Sequence, residues 1–244
     1  RRKKFKIGPG HTSRPVSKAW QPCSDTGRLD LYSEQFRICQ SATSWYDDII
    51  INSYALMCQF DRTNSFTYQD TLLGSRYSLN GFSPVDGKFI QIVNPNNNHW
   101  FCLSNSLTFI REPNVVEIFD SLSSPKSLET CMIIDRCISS QILQLRPQTT
   151  VVRYVQTQLQ GNGYDCGPLA LGFLWSLSHG HHPLKFQHLR GPKIRRQVRE
   201  SFSNNKFLAP CPFNRPNLTQ KKILRTFTLE HTSGRFVYNN GLYQ

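Results

Sequence analysis

Cys166 lies between Asp165 and Gly167, where the turn-forming stretch QGNGYD runs into the apolar stretch LALGFLWSL. A cysteine at a helix N-terminus has its thiolate stabilised by the helix dipole and by N–H groups that lack intrahelical partners. A nucleophile needs this and a core cysteine does not, so the placement predicts a thiol at a site rather than in the core. Two other residues have types that could work with it. His99 opens a strand after the turn-rich NPNNN, which predicts a position at the edge of a sheet; taken alone, such a histidine is more often structural. Asp120 follows the apolar run VVEIF, where a carboxylate either caps a turn or orients a base. Together the three supply what thiol catalysis requires: a thiolate, an imidazole to share its proton, and a carboxylate to fix the imidazole tautomer.

These residues need a frame to hold them. Ile50, Tyr54 and Met57 in WYDDIIINSYALMC fall on one helical face, predicting an amphipathic helix over 45–58. Short β-like runs follow at 89–93, 100–104 and 115–119. Cys131, Ile134, Ile138 and Ile142 return to helical spacing over 127–142. A strand at 151–155 leads into an apolar helix near 168–178. In a last helix at 192–203, Ile194, Val198 and Phe202 face the core while Arg195, Arg196 and Arg199 are expected to face out. Strands grouped between helices predict an α+β fold with a mixed or antiparallel central sheet. The expected organisation is a basic leader or linker at 1–22, one domain at 23–210 and a C-terminal extension at 211–244.

Composition narrows the class. The chain has 244 residues, 38% of them apolar, enough to bury a core without disulfides or a structural metal. No apolar run has the length of a membrane span, and the N-terminal RRKKFKIGPG is followed by no signal-type segment; neither a span nor secretion is expected. Lys and Arg total 29 against 16 Asp and Glu, a formal charge of +13. The excess is at the ends: residues 1–22 hold seven basic side chains and no acid, and 185–225 hold eleven against Glu200 alone. Residues 23–184 are net −4. A basic arm reads as a nuclear-import or nucleic-acid patch, with a solvated tail the plain alternative. An acidic middle and the lack of a nucleic-acid-reading motif argue against nucleic-acid binding as the main function. The eight cysteines form no C-x-x-C pair and no zinc-finger spacing with the seven histidines. That predicts a reducing intracellular setting, nucleus or cytoplasm, with no metal and no cofactor. His179, His181 and His182 bracket Gly180 after an apolar helix, which reads as a surface loop past a C-cap rather than a metal site.

Four ordered motifs carry a family resemblance: W-x-x-D-x-x-I-N-x-Y at Trp45–Tyr54, His99-Trp100, F-D-S-L at Phe119–Leu122, and Q-x-N-G-Y-D-C-G at Gln160–Gly167. Over roughly residues 41–205 the chain resembles the Ulp/SENP family of ubiquitin-like-protein proteases, and is more similar to uncharacterised or transposon-associated members than to the well-studied SUMO proteases. The resemblance implies a papain-like α+β fold with a central mixed sheet between helices. It implies Cys166 as nucleophile, His99 as general base and acid, Asp120 as the residue that orients His99, and Gln160 as an oxyanion donor beside the Cys166 N–H. It also implies Trp45 and Trp100 as aromatic walls of a narrow channel for a Gly-Gly tail, and Asp48 as a substrate-contacting acid. Pro168 departs from the family pattern but is tolerated in a first helical turn. The interval from His99 to Asp120 is long for the family and implies a longer hairpin through SNSLTFIREPN.

The implied partner is SUMO or a related ubiquitin-like modifier and its conjugates. Two alternatives stand beside that reading: an endopeptidase of the same fold that processes a viral-like or transposon polyprotein, and an inactive modifier-binding module.

Overall fold

The computed structural model describes residues 33–61, 66–74, 82–122 apart from 84 and 86, 149–185, 189–210, 223–232 and 235–238. The helix expected at 127–142 and the leader at 1–22 lie outside these residues. The described helices are α1 (Ser33–Gln40), α2 (Asp48–Phe60), α3 (Cys166–Ser178) and α4 (Gly191–Asn204). The strands are β1 (Ile90–Val93), β2 (Phe101–Ser104), β3 (Val115–Phe119), β4 (Thr149–Val155), β5 (Ile223–Thr232) and β6 (Arg235–Tyr238).

The sheet runs β1-β2-β3-β4-β5-β6. Its first three strands are antiparallel, β3 and β4 are parallel, and β4, β5 and β6 are again antiparallel. The sheet is therefore mixed and the fold is α+β. The β2–β3 connection is the hairpin expected from SNSLTFIREPN, its turn held by Thr108, whose hydroxyl donates to the Asn105 and Val115 carbonyls at 3.1 and 2.8 Å. Residues 223–232 and 235–238, within the stretch set apart as an extension, add two strands to this same sheet.

Strand side chains alternate between two cores. Ile90, Ile92, Cys102, Phe119 and Val155 face the helices, while Val93, Phe101, Leu103, Val116, Ile118 and Val152 pack with Phe82, Val85 and Phe89 on the opposite face. This period of two explains why β1, β2 and β3 are buried at every position: both faces are covered. Helix α3 is buried along its whole length, packed on β1 and β2 with α2 and α4 flanking it. A helix that is apolar all round belongs at the centre. At Gly172 a Cβ would meet Ile194 Cδ1 at 2.9 Å and Leu189 Cδ2 at 3.1 Å, so the glycine leaves room for these side chains where α3 meets α4.

Helix α2 starts three residues later than periodicity predicts, at Asp48, because Asp47 is its N-cap: Oδ1 accepts from the Ile50 N–H at 2.9 Å and Oδ2 from Gln35 Nε2 at 2.7 Å. Helix α4 corrects another expectation. Arg195 does not face out; it is 4% exposed, on the stripe that also buries Ile194, Val198 and Phe202. Among the described residues no helix is long and apolar enough to cross a membrane.

Candidate active site

Asp120 and Gln160 come at the same end of the sheet, since β3 and β4 are parallel neighbours: Asp120 follows β3 directly, and Gln160, five residues past β4, is bonded back to Ser121. Asp120 is 3% exposed, and its Oδ1 contacts His99 Nε2 at 2.5 Å while accepting the Leu122 N–H at 2.9 Å. His99 stands two residues before β2, a strand between β1 and β3, so it is at the strand's end and not on the edge strand. Its backbone is fixed by a bond from its N–H to Asn94 Oδ1 at 3.0 Å. A carboxylate on Nε2 sets the tautomer and the ring direction.

Gln160 is held at three points. Its N–H donates to the Ser121 carbonyl at 2.9 Å, its Oε1 accepts from the Ser121 hydroxyl at 2.6 Å, and its Nε2 donates to the Asn162 carbonyl at 2.6 Å. Thr157 ties the same loop to β3 through a hydroxyl bond to the Asp120 carbonyl at 2.6 Å.

Cys166 is the first residue of α3, as its surroundings predict. It is, however, 1% exposed and continuous with the cluster of Tyr46, Ile51 and Trp100, which corrects the expectation of a thiol apart from the core. The helix N-terminus is part of the rim of the core. The next residue shows how close the elements come: a Cβ at Gly167 would lie 3.0 Å from Tyr46 Cβ and 3.3 Å from Trp100 Cδ1. The thiol-bearing turn thus abuts the residue that follows His99. Of the buried cysteines away from this turn, burial pushes the Cys39 thiol up to about 12 and the Cys102 thiol higher still.

Asp165 precedes the thiol as the N-cap residue, yet its side chain does not cap α3. Its Oδ1 accepts from Arg195 Nε at 2.8 Å and its Oδ2 from Asn162 Nδ2 at 2.9 Å. Asn162 in turn accepts the Tyr164 and Asp165 N–H groups on its Oδ1, at 3.1 and 2.9 Å, which closes the turn before Cys166. Sequence reasoning missed Asn162, Arg195, Ser121 and Thr157. The N-G pair was the available signal for Asn162.

Trp45, Asp48 and Trp100 are brought together as lining of one cavity of about 270 Å³, with Thr71, Leu72 and Asn97. Trp100 is 4% exposed and pinned by its Nε1–H to the Tyr46 carbonyl at 2.9 Å, whereas Trp45 is 42% exposed at the mouth. Asp48 is half-buried, and burial first, then the Asp47 charge, raises its carboxyl above the usual range. Asn52 and Tyr54 of the same motif do structural work. Asn52 Oδ1 accepts from Tyr68 and from the Thr71 N–H, at 2.9 and 3.1 Å, fixing the cavity floor, and the Tyr54 hydroxyl donates to the Leu208 carbonyl at 2.7 Å. Among the described residues no group of three or more His, Cys, Asp or Glu is placed to hold a metal. His179 is instead the C-cap of α3, followed by Gly180 at φ +70°.

Residues 83–209 match the family model "Ulp1 protease family, C-terminal catalytic domain". No curated protein sequence matches the chain. Among solved structures, the chain resembles the SUMO protease Ulp1 with its catalytic cysteine oxidised to a sulfenic acid (TM-score 0.58, 16% identity, 72% of this chain and 85% of that one). It also resembles the Ulp1 protease domain in complex with Smt3, the yeast ortholog of SUMO (0.59, 15% identity, 79% and 90%). A third is the Ulp1-like SUMO protease catalytic domain of Chaetomium thermophilum (0.51, 14% identity, 73% and 80%). At these identities the likeness is one of fold, the α+β papain-like arrangement.

Proposed function

The chain belongs to the Ulp1 protease family and is a cysteine protease, and from that premise we infer that it cleaves after the C-terminal Gly-Gly of SUMO or a related ubiquitin-like modifier. Cys166 is the nucleophile, His99 the base and acid, Asp120 its orienting carboxylate and Gln160 an oxyanion donor. With His99 Nε2 committed to Asp120, Nδ1 is the nitrogen that takes the thiol proton. Sγ then attacks the scissile carbonyl, the oxyanion meets the Cys166 N–H and Gln160 Nε2–H, and the leaving amine collects the proton from His99. Water, deprotonated by the same imidazole, releases the acyl group.

The observation that carries this reading is the place of Trp100. It follows His99, lines the cavity with Trp45 and Asp48, and would touch a side chain at Gly167. In this reading the cavity continues past Trp100 to the thiol turn, along a path where an extended glycine pair would fit and a Cβ would meet close-packed rings. The two solved relatives described as SUMO proteases or as bound to Smt3 support the same substrate class.

The test is labelling by C-terminally electrophilic SUMO, ubiquitin and Nedd-type probes, followed by cleavage of matched substrates ending in Gly-Gly or Gly-Ala. The expected outcome is capture of at least one probe by Cys166 and much slower cutting of the Gly-Ala substrate, with Trp100→Ala relaxing that preference. Equal rates on both substrates by the wild-type enzyme would defeat the channel and favour the polyprotein endopeptidase.

A further inference from the structure

The two halves of this site come from distant parts of the chain: the turn Asn162–Cys166, which carries the thiol, and the segment Ser44–Tyr46, which forms the channel wall. Arg195 lies between them. Its Nε donates to Asp165 Oδ1 at 2.8 Å, its Nη2 to the Tyr164 carbonyl at 2.6 Å and its Nη1 to the Ser44 carbonyl at 2.8 Å. Its guanidinium centre is 4.9 Å from the centroid of the Tyr46 ring and 5.5 Å from that of Tyr164. One planar group thus reaches the two residues before Cys166 and the residue before Trp45. We propose that Arg195 is a positioning residue, which sets the spacing and angle between the Cys166 turn and the Trp45–Tyr46 wall.

The plainer account is a buried ion pair, Arg195 with Asp165, that only supports stability. Buried pairs are a poor source of stability, because desolvation offsets most of the attraction. Here two of the three donors go to main-chain carbonyls of segments outside regular structure, and what such bonds determine is where those segments lie. The guanidinium fork keeps its acceptors at fixed separations, as a lysine ammonium cannot. Gly191 adds a second constraint: a Cβ there would run into the Asp165 carboxylate, so the first turn of α4 closes directly on the group that Arg195 and Asn162 already hold. The Asp165 carboxylate is thus held by Arg195, Gly191 and Asn162, and the thiol turn is referenced through Arg195 to the Ser44–Tyr46 segment.

The inference rests on Cys166 being the nucleophile, and its test separates the two ideas. Wild type, Arg195→Lys, Arg195→Met and the double variant Arg195→Met/Asp165→Asn are compared by melting temperature and by kcat and KM on the Gly-Gly substrate. The Gly-Gly to Gly-Ala preference and the rate of Cys166 alkylation by iodoacetamide complete the comparison. Arg195→Met leaves a buried carboxylate unpaired and should melt lower; the double variant removes that charge and should recover most of the loss. If Arg195 positions, kcat stays about 100-fold down in the double variant, the scale of a 1 Å misplacement, and the glycine preference falls with it. Arg195→Lys should keep most of the stability and little of the preference. A folded double variant with wild-type kcat and preference overturns the proposal, as does activity that tracks melting temperature across the series. Should Arg195→Met not fold, the double and lysine variants decide. Should the wild type cut no modifier substrate, the substrate assignment fails, and unchanged alkylation of Cys166 in the folded variants would still overturn the role given to Arg195.

Discussion

Ser121 and Gln160 are bonded to each other twice, through the Gln160 N–H to the Ser121 carbonyl and through the Ser121 hydroxyl to Gln160 Oε1. The hydroxyl decides which way the amide faces: Oε1 toward Ser121, and Nε2 away from it toward the Asn162 side of the turn. Gln160→Ala should lower turnover roughly 100-fold to 1000-fold while leaving probe labelling detectable. Ser121→Ala should fall between that variant and wild type, because the amide keeps its backbone anchor and loses only its orientation. Single-turnover rates on one substrate check both, and wild-type rates in Gln160→Ala would remove it from the site.

Cys166→Ala should abolish covalent capture of every probe. Since Cys166 is 1% exposed, removing its sulfur also opens a small void, costing about 1 kcal/mol and a fall of roughly 2–4 °C in melting temperature. Scanning calorimetry beside mass-spectrometric labelling checks the pair of effects. Cleavage by the alanine variant would mean that another cysteine attacks.

Asp120→Asn keeps the size of the group and removes the carboxylate that sets the His99 tautomer and ring direction. Turnover should drop by orders of magnitude with KM little changed, because the carboxylate touches His99 and lies apart from the cavity-lining residues. Steady-state kinetics separate the two parameters.

Asp48 offers a pH-dependent test. Its folded-state carboxyl titrates above the unfolded value of about 3.9. Relative to an uncharged group it therefore costs no stability below that value, and stability is lost as pH rises through its raised folded value. Asp48→Asn should raise the melting temperature near pH 7 and leave it almost unchanged near pH 3, while weakening binding of modifier substrates. Thermal melts at both pH values, with KM measured at pH 7, check this; equal effects at the two pH values would show that charge is not the cause.

Gly191→Ala should be among the most damaging single-methyl changes available, because the added carbon meets a carboxylate already bonded to Arg195 and Asn162. Overpacking of this kind costs about 1–3 kcal/mol or more. Denaturant unfolding measures it, and Asp165→Ala in the same chain should restore part of the loss.

The candidate reacting groups could be named from sequence because residue type and neighbourhood point to them: a cysteine opening an apolar helix, and a histidine and an aspartate beside apolar runs. What supports them could not. Helical spacing does place Arg195 on the stripe of Ile194 and Val198, but a charged residue is ordinarily exposed, and only tertiary contact with Asp165 and Tyr46 reverses that expectation. Cys166 was expected outside the core for a related reason, as sequence does not say how tightly a helix end is covered. Strands β1 to β4 were found within a residue or two, whereas β5 was passed over although Phe227 and Leu229 alternate with polar residues. Helix α1, eight residues long, is too short for periodicity to distinguish.

The parallel pairing of β3 and β4 has a consequence for the order in which the molecule assembles. His99 and Asp120 flank a hairpin whose contacts are local, 21 residues apart at most. Gln160 and Cys166 take their places only after the long connection from Phe119 to Thr149 has closed and β4 has docked, and closing such a loop is entropically slow compared with forming a hairpin. A refolding chain should therefore protect the amide hydrogens of β2 and β3 before it acquires a thiol that probes can capture. Pulsed hydrogen exchange run in parallel with timed probe labelling would order the two events, and simultaneous appearance would mean that the sheet and the site form in one cooperative step.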